Sequence, residues 1–134
     1  MCEFQQQFMF ARAPMKHILI IDDDASVRDV LREIVSSFGY EPHPVNSAKE
    51  AVSMLSRRKI DLIFLDISMP EITGDQLLDF IRKKGFQTPV VVISAHVDED
   101  VEKRMRAAGI NGILTKPFEV ADVIDQMEEA MVRR

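Results

Sequence analysis

Three aspartates, a serine and a lysine carry the chemistry this chain is equipped for. Asp22 and Asp23 follow the apolar run Ile18-Leu19-Ile20-Ile21, and Asp66 closes the run Leu62-Ile63-Phe64-Leu65. A short continuous apolar run closed by a turn signal reads as a strand buried on both faces. All three acids then stand at carboxyl ends of strands, where open α/β sheets bind ligands. If the two strands are neighbours, they lie about 4.8 Å apart. Two unit charges about 4 Å apart repel by roughly 4 kcal/mol at an effective dielectric near 20. Such a cluster raises a carboxyl pKa or recruits a cation. Hard oxygen ligands suit Mg²⁺, with Mn²⁺ as the alternative. Each acid alone has a plainer reading, as part of an acidic turn that caps the following helix.

Ser94 ends a further apolar run, Val90-Val91-Val92-Ile93, and Lys116 ends the short run at residues 112–115. A hydroxyl at a strand end donates to a phosphoryl oxygen or caps a helix. A lysine there neutralises carboxylate or phosphate charge or simply faces water. Lys116-Pro117 is also a candidate cis peptide.

Alternating strand and helix patterns place these residues. Strands are expected at His17–Ile21, Glu41–Val45, and residues 61–66, 89–94 and 112–115. Pro42 and Pro44 confine the second to a sheet edge. The first helix carries Val27, Val30, Leu31, Ile34, Val35 and Phe38 at helical spacing and stops at Gly39. Ser47 and Glu50 have capping-box spacing and open a second helix. Leu77, Leu78 and Ile81 mark a third, which stops at Gly85. The fourth, about residues 98–108, is mostly charged. Glu99 with Lys103, Asp100 with Arg104, and Glu102 with Arg106 are i,i+4 pairs with the acid first. The last carries Val120, Val123, Ile124, Met127 and Met131. This alternation implies a parallel sheet with helices on both faces.

The 134 residues suit one domain, and 46% hydrophobic with 29% charged residues is ordinary for a globular protein. A formal net charge of -5 gives no support to direct nucleic-acid binding. Cys2 is the lone cysteine, so neither an internal disulfide nor a Cys-rich zinc site is available. No apolar run approaches the roughly 18 residues of a membrane helix. Residues 1–14 read as an N-terminal extension, either a flexible arm or not native, with Met15 as a candidate start. Residues 15–134 form the domain.

Acids, acid, hydroxyl and lysine at four strand ends, in that order, resemble the receiver domain of two-component response regulators. The carrying motifs are Ile-Leu-Ile-Ile-Asp22-Asp23-Asp24; Asp61-Leu-Ile-Phe-Leu-Asp66-Ile-Ser-Met-Pro70 with Gly74; Val-Val-Val-Ile-Ser94-Ala95; and Lys116-Pro117-Phe118. The resemblance spans about residues 16–132. It implies a flavodoxin-like, doubly wound five-stranded parallel sheet of order 2-1-3-4-5 with five helices. It implies that Asp66 is the phosphoacceptor. Asp22, Asp23, Asp66 and the carbonyl of Ser68 would hold Mg²⁺, Ser94 would be the switch hydroxyl, and Lys116 would pair with phosphate. A sensor histidine kinase or histidine phosphotransfer protein would be the donor, in the cytoplasm. An unidentified downstream protein, or a second copy of the chain, would use the face of the fourth helix, last strand and last helix.

One position departs from the family pattern. Ile113 stands three residues before the lysine, where Tyr or Phe is usual, so the aromatic half of the switch is in question. The resemblance also implies that Ser68 and His96, each two residues beyond a site residue, border the phosphoryl group, and histidine is the side chain that titrates near neutral pH. The same residues admit rival readings. A haloacid-dehalogenase-like phosphatase would use Asp22-x-Asp24 with Asp22 as nucleophile, but it leaves Asp66 without a role. A flavin module would want a glycine- or hydroxyl-rich phosphate loop where three aspartates stand. A pseudo-receiver would only bind partners.

Overall fold

Strand and helix alternate five times between His17 and Val132 in the computed structural model. It describes residues 15–69 and 71–132; the extension expected at 1–14 and Pro70 lie outside them. The elements are β1 (His17–Ile21), α1 (Ala25–Ser37), β2 (Glu41–Val45), α2 (Ala48–Arg57), β3 (Leu62–Asp66), α3 (Gly74–Lys83), β4 (Val90–Ser94), α4 (Glu99–Ala107), β5 (Gly112–Thr115) and α5 (Val120–Val132). The strands form one sheet in the order β2-β1-β3-β4-β5, parallel throughout. This is the flavodoxin-like order, and its direction reverses between β1 and β3. No helix among the described residues is long and apolar enough to cross a membrane.

Alternate side chains of the central strands feed two cores. Leu19, Ile21, Ile63 and Leu65 pack against Ala51 and Leu55 of α2, Leu77, Leu78 and Ile81 of α3, and Met105 of α4. Ile18, Ile20, Leu62 and Phe64 pack against Leu31, Ile34 and Val35 of α1 and Val123, Met127 and Ala130 of α5. β3 and β4 are buried along their whole lengths, which is why they read as unbroken apolar runs. Each such Val, Leu or Ile contributes about 1.5–3 kcal/mol through burial. These two strands are therefore a stiff base for the residues at their ends.

β2 lies at the edge, as its prolines require. Three helical expectations need correction. Val30 and Phe38 of the first stripe are 47% and 50% exposed, and Val120 is 53% exposed. A helix resting on one face of a sheet buries only the strip that faces it, narrower than its apolar spacing suggests. Ser47 caps α2 through the Glu50 amide at 3.2 Å, but Glu50 Oε1 accepts from Asn46 rather than from Ser47. In α4, Glu102 and Arg106 pair at 3.1 Å, whereas Arg104 reaches across to Asp75 at 3.8 Å. β3 begins at Leu62; just before it, Asp61 Oδ2 accepts from the His17 amide at 2.8 Å and the Asp61 amide donates to the His17 carbonyl at 2.8 Å.

The loop after β3 is held by a close approach that only glycine allows. The Gly74 amide donates to the Ile67 carbonyl at 3.1 Å. A Cβ on Gly74 would lie 2.6 Å from the Ile67 Cα. Gly74→Ala should therefore cost about 1–3 kcal/mol in urea unfolding, the usual range for overpacking against backbone.

Candidate functional site

The β1–β3 pairing brings the acids together. Ile21 pairs with Leu65 in register, so the next residues along, Asp22 and Asp66, end adjacent strands. Carboxylate oxygens of Asp22, Asp23 and Asp66 lie within 4.8 Å of one another. Asp22 and Asp66 are buried and Asp23 is exposed. Buried charge is costly unless paired. Among the described residues only five polar or charged side chains are buried, and Asp22, Asp66 and Ser94 are three of them. Burial of these three at one rim marks it as a site.

Each acid has some compensation. Asp22 Oδ1 accepts the Asp24 amide at 2.9 Å, and Asp66 Oδ1 accepts the Ser68 amide at 3.1 Å. Lys116 Nζ stands 3.5 Å from Asp22 Oδ2. That oxygen is buried and has no hydrogen-bond partner among the described residues. Burial pushes the Asp22 carboxyl up to about 6; the Asp66 charge adds to the rise, and the Asp24 amide and Lys116 oppose it. An exposed third acid, a raised carboxyl and an oxygen lacking a hydrogen bond form a donor set suited to a hard divalent cation such as Mg²⁺.

The neighbouring strands supply the rest. Ser94 pairs with Thr115 in register, and the Lys116 amide donates to the Ser94 carbonyl at 2.8 Å, so hydroxyl and lysine leave the sheet together. The Lys116–Pro117 peptide is cis. Ser94 Oγ donates to the His96 carbonyl at 2.9 Å and accepts the His96 amide at 3.2 Å. The hydroxyl thus closes its own loop rather than facing Asp66. Ser68 and His96 are exposed, and both line a cleft of about 280 Å³ with Thr73, Asp75, Ala95 and Arg104. Ile113 is half-buried against the core under α2, α3 and α4.

One feature of the site escaped sequence reading. Arg28 Nη1 donates to the Asp22 carbonyl at 2.7 Å and anchors the backbone beneath the acid cluster. Its only signal was its place one turn into α1. Asp24, by contrast, is the helix cap that the plainer reading allowed: its Oδ1 accepts from the Ser26 amide and hydroxyl at 2.9 and 2.8 Å. Those bonds hold its carboxyl below the usual range. Asp24 is therefore committed elsewhere, which removes the second acid of the phosphatase reading.

An open parallel sheet carrying an acid cluster at the point where its strand order reverses defines a flavodoxin-like α/β domain with a cation-suited rim. The chain belongs to the response regulator receiver domain family, which matches residues 18–128. It is 32% identical over 114 residues to a 14.6 kDa protein of the sodA1 3′ region of Leptolyngbya boryana, covering 84% of this chain and 87% of that protein. It is 32% identical over 109 residues to the sensor histidine kinase RcsC of Escherichia coli, covering 81% of this chain but 11% of RcsC. Among solved structures it is similar in fold to chemotaxis protein CheY4 of Vibrio cholerae (TM-score 0.84, 24% identity, 87% and 99% of the two chains). The Francisella response regulator 1452 receiver domain superposes comparably (TM-score 0.82, 26% identity, 88% and 98%).

The raised Asp22 carboxyl has a signed consequence. The folded chain binds the Asp22 proton more tightly than the unfolded chain does. Its contribution to stability is complete below about pH 4 and is lost as pH rises through about 6. Asp22→Asn should therefore stabilise the chelator-treated protein at pH 7, by on the order of 1–3 kcal/mol in urea unfolding. The gain should vanish near pH 4.

Proposed function

We propose that this chain receives a phosphoryl group on Asp66 from a phosphohistidine donor. The observation that carries the reading is one rim holding two buried carboxylates, an Asp22 oxygen without a hydrogen bond, and Lys116 at 3.5 Å. An oxygen of Asp66 attacks phosphorus in line. The new O–P bond forms as the donor's P–N bond breaks, and the leaving imidazole takes up a proton. The Ser68 amide orients Asp66 by its bond to Oδ1. Lys116 offsets the charge of the phosphoryl oxygens as they approach the carboxylates. Mg²⁺, held by Asp22, Asp23, Asp66 and the Ser68 carbonyl, would supply further charge neutralisation at the same rim.

Ser94 is the readout in this proposal. Its hydroxyl leaves the His96 carbonyl for a phosphoryl oxygen, which frees the loop leading into α4. With Ile113 in place of an aromatic residue, that loop's own main chain carries the shift. The face of α4, β5 and α5 then binds a downstream protein or a second copy of the chain. The acting unit is residues 15–134, the donor is a sensor histidine kinase or histidine phosphotransfer protein, and the compartment is the cytoplasm.

Intact mass after incubation with acetyl phosphate and Mg²⁺ tests this directly. Wild type should gain one phosphoryl group, and Asp66→Asn or chelator should abolish the gain. Lys116→Ala should slow the gain roughly 10²–10³-fold, the usual loss when a charge-stabilising donor is removed. A gain that survives Asp66→Asn would overturn the assignment. No gain from acetyl phosphate or from a phosphorylated histidine kinase would leave a pseudo-receiver.

A further inference from the structure

A second cluster of metal-binding side chains lies at the opposite end of the sheet. His17 opens β1, and Glu41 and His43 stand on the neighbouring edge strand. Register pairs His17 with Glu41, and His43 follows two residues on, so all three project from the same face. His17 Nδ1 and His43 Nε2 are 2.9 Å apart, and Glu41 Oε2 is 3.8 Å from His43 Nε2. All three ligand atoms fall within 4.8 Å. None of these residues takes part in the phosphoryl chemistry above.

We propose that His17, Glu41 and His43 form a binding site for a divalent transition-metal ion of the Zn²⁺ class, at the pole of the domain opposite Asp66. Two imidazoles and a carboxylate are the donor set that zinc-type ions accept, with water in the fourth position. A tetrahedral ion with bonds of about 2.0–2.1 Å holds its ligand atoms about 3.3–3.4 Å apart. The observed 2.9 and 3.8 Å bracket that spacing, so small side-chain rotations suffice.

The backbone beneath the three residues is already set. Glu41 and His43 alternate with Pro42 and Pro44, whose rings fix φ along the edge strand. The His17 amide is pinned to Asp61 Oδ2 at 2.8 Å. Little order has to be gained on binding, which favours affinity. Burial first, and then the charges of Arg58 and His17, push the His43 imidazole below the usual histidine range, which favours the neutral, ligating form.

One group opposes the ion. Arg58 Nη1 lies 3.2 and 3.3 Å from the two ring nitrogens of His17. Arg58 is exposed and follows the last residue of α2, so its side chain is free to swing into water. Lys59, the other nearby cation, is drawn toward Asp61 at 3.9 Å. The site therefore has a built-in competitor, and removing it should strengthen binding.

Calorimetric titration of the untagged full chain with Zn²⁺, in excess Mg²⁺, tests the site. One Zn²⁺ per chain should bind, and Co²⁺ in its place should give the visible absorption of a tetrahedral nitrogen–oxygen site. His43→Ala and His17→Gln should each weaken binding by more than about tenfold, the loss that a mere supporting group can cause. Arg58→Ala should tighten it, a result that does not depend on a damaged fold. Asp66→Asn should leave it unchanged, which separates this site from the acid cluster and from the phosphoryl reading. Absence of saturable uptake, uptake that survives His43→Ala, or uptake lost in Asp66→Asn would each overturn the proposal.

Discussion

Like charge held at close quarters, out of water, is the constraint on which this structure turns. Asp22 and Asp66 end adjacent strands and are both buried, and the Asp66 charge adds to the cost of ionising Asp22. The fold supplies partial answers: an amide for one oxygen of each acid, and the Lys116 ammonium near the second oxygen of Asp22. It stops short of neutralising the pair. A site left deficient in positive charge is poised for a cation, whereas a fully paired one would be inert.

The strand order explains how so few residues reach one place. Because the chain reverses direction across the sheet between β1 and β3, the loops on either side part there, and the rim stays open. β4 and β5 then bring Ser94 and Lys116 from the far side, linked by the Lys116 amide bond to the Ser94 carbonyl. The serine is held by its own loop and the lysine by the acids. The rim is thus joined to two segments, the loop before α4 and the turn before α5. Arg104 of α4, leaning to Asp75 of α3, ties that helix to its neighbour.

Much of this was legible in the residues themselves. Buried parallel strands announce themselves as apolar runs, so β1, β3 and β4, with the acids ending the first two and the serine ending the third, could be placed without coordinates. Pro42 and Pro44 likewise put β2 at an edge. Contacts that depend on side-chain direction were not legible. Nothing local says that Arg104 prefers Asp75 to Asp100, since the choice depends on how α3 and α4 sit on the sheet. Arg28 beneath Asp22 and the meeting of His17 with His43 depend on tertiary placement in the same way. Val30 and Phe38 show the opposite error, in which periodicity promised burial that one face of a sheet does not offer.

The two prolines of β2 have a consequence for behaviour at high concentration. The Glu41 amide donates to Lys16 and the Val45 carbonyl accepts from Asp22, so residues 41, 43 and 45 turn their polar backbone groups inward. By alternation, residues 42 and 44 face outward, and both are prolines without an N–H. That margin of the sheet cannot offer the ladder of donors that a stray strand from another molecule would need. The proline-bearing edge strand is thus also a guard against fibril-like stacking along that margin of the sheet.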